Sequence, residues 1–282
     1  MRLLGVAILD KNDLPVLVRT YREDLNINDI SNMLSVACSF LSQSSTGSGR
    51  EAFVSTGATS IYYFKLGERG CLVVGEKADQ ESLSKVARVL VEIEFDKIEA
   101  PLEEVMYAID RVVAAVFGED DFVKQILDEE ILQKYRVVFV NGDNVISLNF
   151  SIDENLLREI KKLIRKIKKN TSIQEKTLSS GEKVFIVYLG SNKTLCLIGP
   201  ELNEKAKSKI ERIVKIFRKD APSVLLTGEL KKMYDAVRAS YSLLIDNGED
   251  YMLYEIYTML SRGESLRKII EKMYREHYAG TL

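Results

Sequence analysis

A chain of 282 residues has room for two domains of ordinary size. With 46% apolar and 29% charged residues it can bury a substantial core, and Lys+Arg 40 against Asp+Glu 42 leaves a net charge of −2, unlike the basic balance of a dedicated nucleic-acid binder. One histidine, His277, and three cysteines, Cys38, Cys71 and Cys196, exclude most metal sites and most histidine-based acid–base chemistry on inventory alone.

Residues 2–9 are apolar and suited to a strand, Asp10-Lys11-Asn12-Asp13 forms a turn cluster, and residues 14–21 resume as a second strand. A leader peptide would need a longer apolar run and a small-residue cleavage site, so this start reads as a hairpin. Asn26 or Asn28 caps a helix over 29–41, whose stripe is Ile30, Met33, Leu34, Ala37, Phe40 and Leu41. The Ser/Gly-rich stretch 44–50 reads as a connector. It lacks the Gly-Lys-Ser/Thr of a phosphate-binding loop, and Arg50 leads into a strand, not a helix.

Strands are expected at 51–55, 60–66 and 70–75, then helices from Asp79 to Glu94 and from Pro101 to Phe117. The second of these has an apolar residue at nearly every 3/4 step, and Gly118 stops it. A further helix covers about residues 120–135.

The order then restarts. Residues 136–140 and 145–150 form a hairpin around Asn141-Gly142, and Asp153 caps a helix running to Ile167. Strands at 173–178, 183–189 and 193–198 precede helices over 201–218 and 228–245, and a helical tail over 250–278 breaks at Gly263. Local matches keep the same order in both halves: Ser55-Thr56-Gly57 with Ser179-Ser180-Gly181, Leu66-Gly67 with Leu189-Gly190, and Cys71-Leu72 with Cys196-Leu197. Their nearly constant offset predicts an internal duplication.

The phrase Glu51-Ala52-Phe53-Val54, Ile61-Tyr62-Tyr63-Phe64-Lys65, Gly70-Cys71-Leu72-Val73-Val74 with the two following helices resembles the longin domain and the related roadblock domain. The resemblance covers most of residues 1–118 and extends to 136–246. It implies an α+β fold of two longin-like (profilin-like) units. Each would be a five-stranded antiparallel sheet with helices packed mainly on one face, followed by a helical C-terminal tail. The expected domains are 1–135, 136–249 and a 250–282 extension. The resemblance also implies a non-enzymatic adaptor or scaffold that binds other proteins, a small Ras-like GTPase being one partner class, with no cofactor and no catalytic residues to carry over. The alternative is a tandem sensor of PAS or GAF type, which would enclose a small ligand between sheet and helices.

The most distinctive local feature is a basic amphipathic helix bearing Arg158, Lys161, Lys162, Arg165, Lys166, Lys168 and Lys169 between Leu157, Ile160, Leu163, Ile164 and Ile167. It reads either as a solvated face on a helix whose apolar side is core, or as a contact with a protein partner or a weak contact with an anionic surface. Nucleic acid is disfavoured because no aromatic residue interleaves with the cations. The helix expected at 29–41 lacks these charges.

The simpler explanations hold for the remaining features. Cys71 and Cys196 read as buried small hydrophobes at equivalent strand positions. The acids at 119–121 read as residues favoured by a helix N-terminus, and those at 128–130 do not match an EF-hand. The Tyr- and Met-rich tail reads as packed on its own chain. Widely spaced cysteines and a Lys/Glu-rich surface fit a reduced cytoplasm and a thermophile, and no run approaches the roughly 18 apolar residues of a membrane span.

Overall fold

Strands β1 (Arg2–Leu9), β2 (Pro15–Thr20), β3 (Gly49–Ser55), β4 (Thr59–Leu66) and β5 (Arg69–Glu76) pair antiparallel in the order β2-β1-β5-β4-β3. Strands β6 (Arg136–Asn141), β7 (Asn144–Ser147), β8 (Gln174–Thr177), β9 (Lys183–Gly190) and β10 (Lys193–Gly199) pair in the order β7-β6-β10-β9-β8. The two orders are the same topology, so the duplication expected from the sequence is present in the connectivity. This is a computed structural model, and it describes residues 2–22, 29, 32, 33, 35, 49–167, 173–244 and 248–278. Most of the 29–41 helix and of the 44–50 stretch, together with Cys38, Lys168 and Lys169, lies outside the described residues.

Helices α1 (Gln80–Val91), α2 (Leu102–Phe117) and α3 (Glu119–Lys134) follow the first sheet, and α4 (Glu154–Ile164) lies between β7 and β8. Helices α5 (Glu204–Arg218), α6 (Ala221–Leu225), α7 (Gly228–Leu244), α8 (Gly248–Ser261) and α9 (Leu266–Met273) complete the chain, with a π turn at Tyr274–Tyr278. Side-chain caps start several of them. Asp79 accepts the Ser82 N–H at 2.8 Å, Asp153 the Leu156 N–H at 2.9 Å and Asn203 the Ala206 N–H at 2.8 Å. Asp79 and Asn203 cap corresponding helices of the two units, so the helix expected from residue 201 starts slightly later.

Helix α2 is the keystone. It packs against α1 of the first unit and against α5, α6 and α8 beyond the second sheet. That placement explains why Ala108 to Val116 are all buried. One continuous core therefore joins Tyr62, Val73 and Leu83 of the first unit to Phe139, Phe185 and Ile213 of the second. Met252, Ile256, Leu260, Ile269 and Met273 of the C-terminal extension belong to the same core, so the tail packs within its own chain.

The helices lie mainly on the inner face of each sheet, with α4 on the reverse. Leu156 and Ile160 of α4 bury against Val138, Val184 and Ile186 on the outer face of the second sheet. Strand β1 is buried at seven consecutive positions and β6 at four. Near-continuous burial of this kind requires both faces of a sheet to be covered, so a helix layer on one face alone could not suffice.

The structure corrects one sequence equivalence. Tyr62 pairs with Val73 across β4 and β5, and Phe185 pairs with Leu197 across β9 and β10. Val73 thus corresponds to Leu197 and Cys71 to Leu195. Cys71 lies in the inner core and Cys196 in the outer one. Strand side chains alternate between faces, so matching the two cysteines shifts the alignment by one residue and reverses the face.

Two other elements differ from expectation. β7 ends at Ser147 because the Asn149 side chain takes over the edge, accepting the Val137 N–H at 2.9 Å and donating to the Tyr135 carbonyl at 2.6 Å. α3 is kinked at Asp128 (φ 62°), whose carboxylate caps the second half by accepting the Ile131 N–H at 3.2 Å.

Candidate interaction site

Helix α4 presents the expected basic face. Arg158, Lys161, Lys162, Arg165 and Lys166 are all exposed. At about 100° per residue they cluster on the side opposite Leu156, Ile160, Leu163 and Ile164, which meet the sheet. The helix carries two acids. Glu154 pairs with Arg158 at 2.7 Å, and Glu159 accepts both the backbone N–H (2.6 Å) and the hydroxyl (2.9 Å) of Ser179. Among the described residues, Lys161, Lys162, Arg165 and Lys166 make no ion pair. The structure therefore brings five of the seven candidate residues onto one outward ridge.

A second surface was not anticipated from sequence. A groove of about 1060 Å³ opens at one end of the first unit, between the β1–β2 turn, the β4–β5 turn and residues 91–105. Val16 (59% exposed), Leu66 (44%) and Leu102 (67%) stand on its walls. An adjoining groove of about 810 Å³ shares Glu92, Ile93, Glu94 and Lys97 with it and continues between α7 and α9. Arg69 donates to Glu94 at 2.9 Å, and Lys97 lies 3.3 Å from the same carboxylate, holding it below the ordinary range of a glutamate despite its partial burial. Glu92, more deeply buried, is pushed upward by desolvation. The sequence signal was the exposed Leu at the start of α2, which the apolar stripe of that helix absorbed.

Between the units lies a buried polar layer on α2. Asp110, fully buried, accepts from Arg19 of β2, and Arg212 of α5 is 3.9 Å away. Its neighbour Arg111 is 2.8 Å from Glu119, which also draws in Lys193 at 3.6 Å. The Arg111 guanidinium lies 3.7 Å from the centre of the Tyr257 ring, within cation–π range. Burial lowers the Lys193 ammonium and raises the Tyr21 and Tyr257 phenols. Among the described residues, the buried Tyr21 and Tyr257 hydroxyls and Arg212 Nε have no hydrogen-bond partner, and Arg111 and Tyr257 line an open pocket of about 340 Å³.

The other features behave as the simpler explanations require. Both described thiols are fully buried, and burial pushes Cys196 up to about 12 and Cys71 beyond that. Glu119 and Asp128 neutralise Arg111, Lys193 and Lys205. Tyr251 and Tyr254 are exposed while Tyr257 is buried. No helix among the described residues is long and apolar enough to cross a membrane. No protein-family model matches the chain, and no curated protein matches it.

Proposed function

We propose that this protein is a non-enzymatic cytoplasmic adaptor that binds other proteins through its paired longin-like units. A small Ras-like GTPase is the partner class this reading puts first. The observation that carries it is the groove beside the first sheet, with Val16, Leu66 and Leu102 exposed on its walls. Apolar side chains grouped on a groove wall are the material of a binding site, because covering them removes apolar area from water. The buried layer supports the same reading over a sensor: Tyr62, Val73, Phe139 and Leu195 fill the inward positions at essentially zero exposure, where a sensor domain would hold its ligand.

The test uses the full chain with purified small GTPases in both nucleotide states, measured by calorimetry. The reading expects a complex with wild type that is lost on Leu102→Asp or Val16→Asp, with the thermal unfolding curve unchanged. Binding unaffected by both substitutions would remove the groove from the mechanism. A small molecule released on denaturing the purified chain would favour the sensor instead.

A further inference from the structure

The ridge on α4 carries charge that the fold leaves uncompensated, and we propose that it docks the protein peripherally on an anionic lipid surface. From Lys161 to Lys169 the sequence holds six cations and no acid. The contrast with α5 separates this ridge from an ordinary solvated face. On α5, Lys205 pairs with Glu130 at 2.6 Å, Lys207 with Glu204 at 2.7 Å, Lys215 with Glu103 at 3.4 Å and Arg212 approaches Asp110. Lys161 on α4 precedes Arg165, the residue that caps its end, by one turn, and Lys162 precedes Lys166 in the turn that follows, so like charges crowd together at this end of the helix. Among the described residues these four cations make no ion pair, and Glu159 of the same helix is engaged by Ser179. An external anion would offset that crowding.

The shape and chemistry of the ridge select the occupant. It is a convex helix face backed by a sheet, dominated by lysines, whose flexible stems present point charges instead of the planar fork that reads a matched carboxylate or phosphate. No aromatic side chain lies between Glu154 and Ile167 to stack on a base. A plane of anionic headgroups accepts such a cluster without a complementary contour. The apolar side of α4 is already buried in the second sheet, so the contact is electrostatic, without insertion, and salt must weaken it.

The experiment is co-sedimentation of the full chain with phosphatidylcholine vesicles, with and without phosphatidylglycerol. The expected result is binding only to the anionic vesicles, weakening as salt rises from about 50 to about 200 mM. Each of K161Q, K162Q, R165Q and K166Q is expected to lower the partition about fivefold. Control variants K205Q and K207Q on α5 leave it unchanged, and far-ultraviolet circular dichroism verifies that every variant is folded. Equal binding to neutral vesicles, no binding to either, or full retention by the quadruple variant would each overturn the proposal. So would capture of polyglutamate or duplex DNA by the ridge when vesicles are not bound. The ridge lies apart from the groove, so the adaptor reading and this one can fail independently.

Discussion

Arg19 on edge strand β2 donates through Nε to the carboxylate of Asp110 on α2 at 2.8 Å, and Asp110 is completely buried. A second guanidinium, Arg212 from the other unit, lies 3.9 Å from the same group. One carboxylate thus ties the edge of the first sheet and a helix of the second unit to the keystone helix. Removing a single member of a buried ion pair strands the other charges without compensation. Asp110→Ala is therefore expected to lower unfolding stability by about 3 kcal/mol, read from chemical denaturation. The double variant Asp110→Leu with Arg19→Met should recover part of that loss. A change below about 1 kcal/mol would mean that the cations find water instead.

Gly75, next to last in β5, and Gly199, last in β10, occupy corresponding positions for reasons of space. A Cβ at Gly75 would meet the Ala78 Cβ at 2.7 Å, and one at Gly199 would meet the Tyr135 ring at 3.0 Å. Gly75→Ala is expected to cost about 1–3 kcal/mol through overpacking. Adding Ala78→Gly should relieve it. Gly181 has open space around it but φ +87°, so Gly181→Ala should cost about 1 kcal/mol, with no relief from Ala78→Gly. Equal rescue of both variants would refute the steric account.

The sequence made the architecture legible because its signals are local. Asp79, Pro101, Asp153 and the Asn141-Gly142 turn mark element boundaries by their own backbone chemistry, and the 3/4 stripe of α2 is continuous. The basic ridge was legible for the same reason: its residues lie close together in the sequence, from Arg158 to Lys169. The groove was not, because Val16, Leu66 and Leu102 come from three separate elements, and each alone reads as an ordinary apolar position. The Asp110 cluster gave only a weak signal, a charged pair inside an apolar helix, and its partners Arg19 and Arg212 are distant in sequence. The cysteine alignment failed because an error of one residue in a strand is invisible to composition but reverses the face.

Cys71 and Cys196 face opposite sides of their sheets, yet both are fully buried and both thiols are pushed far above their ordinary range. The thiolate is the reactive form. In a Cys38→Ser background, the folded chain at about pH 8 should not react with a thiol reagent over the time in which the unfolded chain labels completely. Labelling of either residue in the folded chain would show that its sheet opens locally.

Asp79 provides the clearest pH dependence. Its carboxylate accepts the Ser82 backbone N–H at 2.8 Å, and that bond holds it below the ordinary aspartate range, with the Ser82 hydroxyl adding to the effect. A carboxylate lowered in the folded state stabilises the fold above its unfolded value, near pH 4, and loses that contribution as pH falls through the lower folded value. Asp79→Ala should therefore cost about 1 kcal/mol at neutral pH. The gap between wild type and Asp79→Ala should narrow as pH drops below about 4. Asp79→Asn retains an acceptor for the cap but not the charge, so it should stay close to wild type at neutral pH and show no narrowing against Asp79→Ala in acid. Denaturation series across this range decide it. A gap between wild type and Asp79→Ala that stays constant with pH would mean the cap acts through geometry alone, without the charge of its carboxylate.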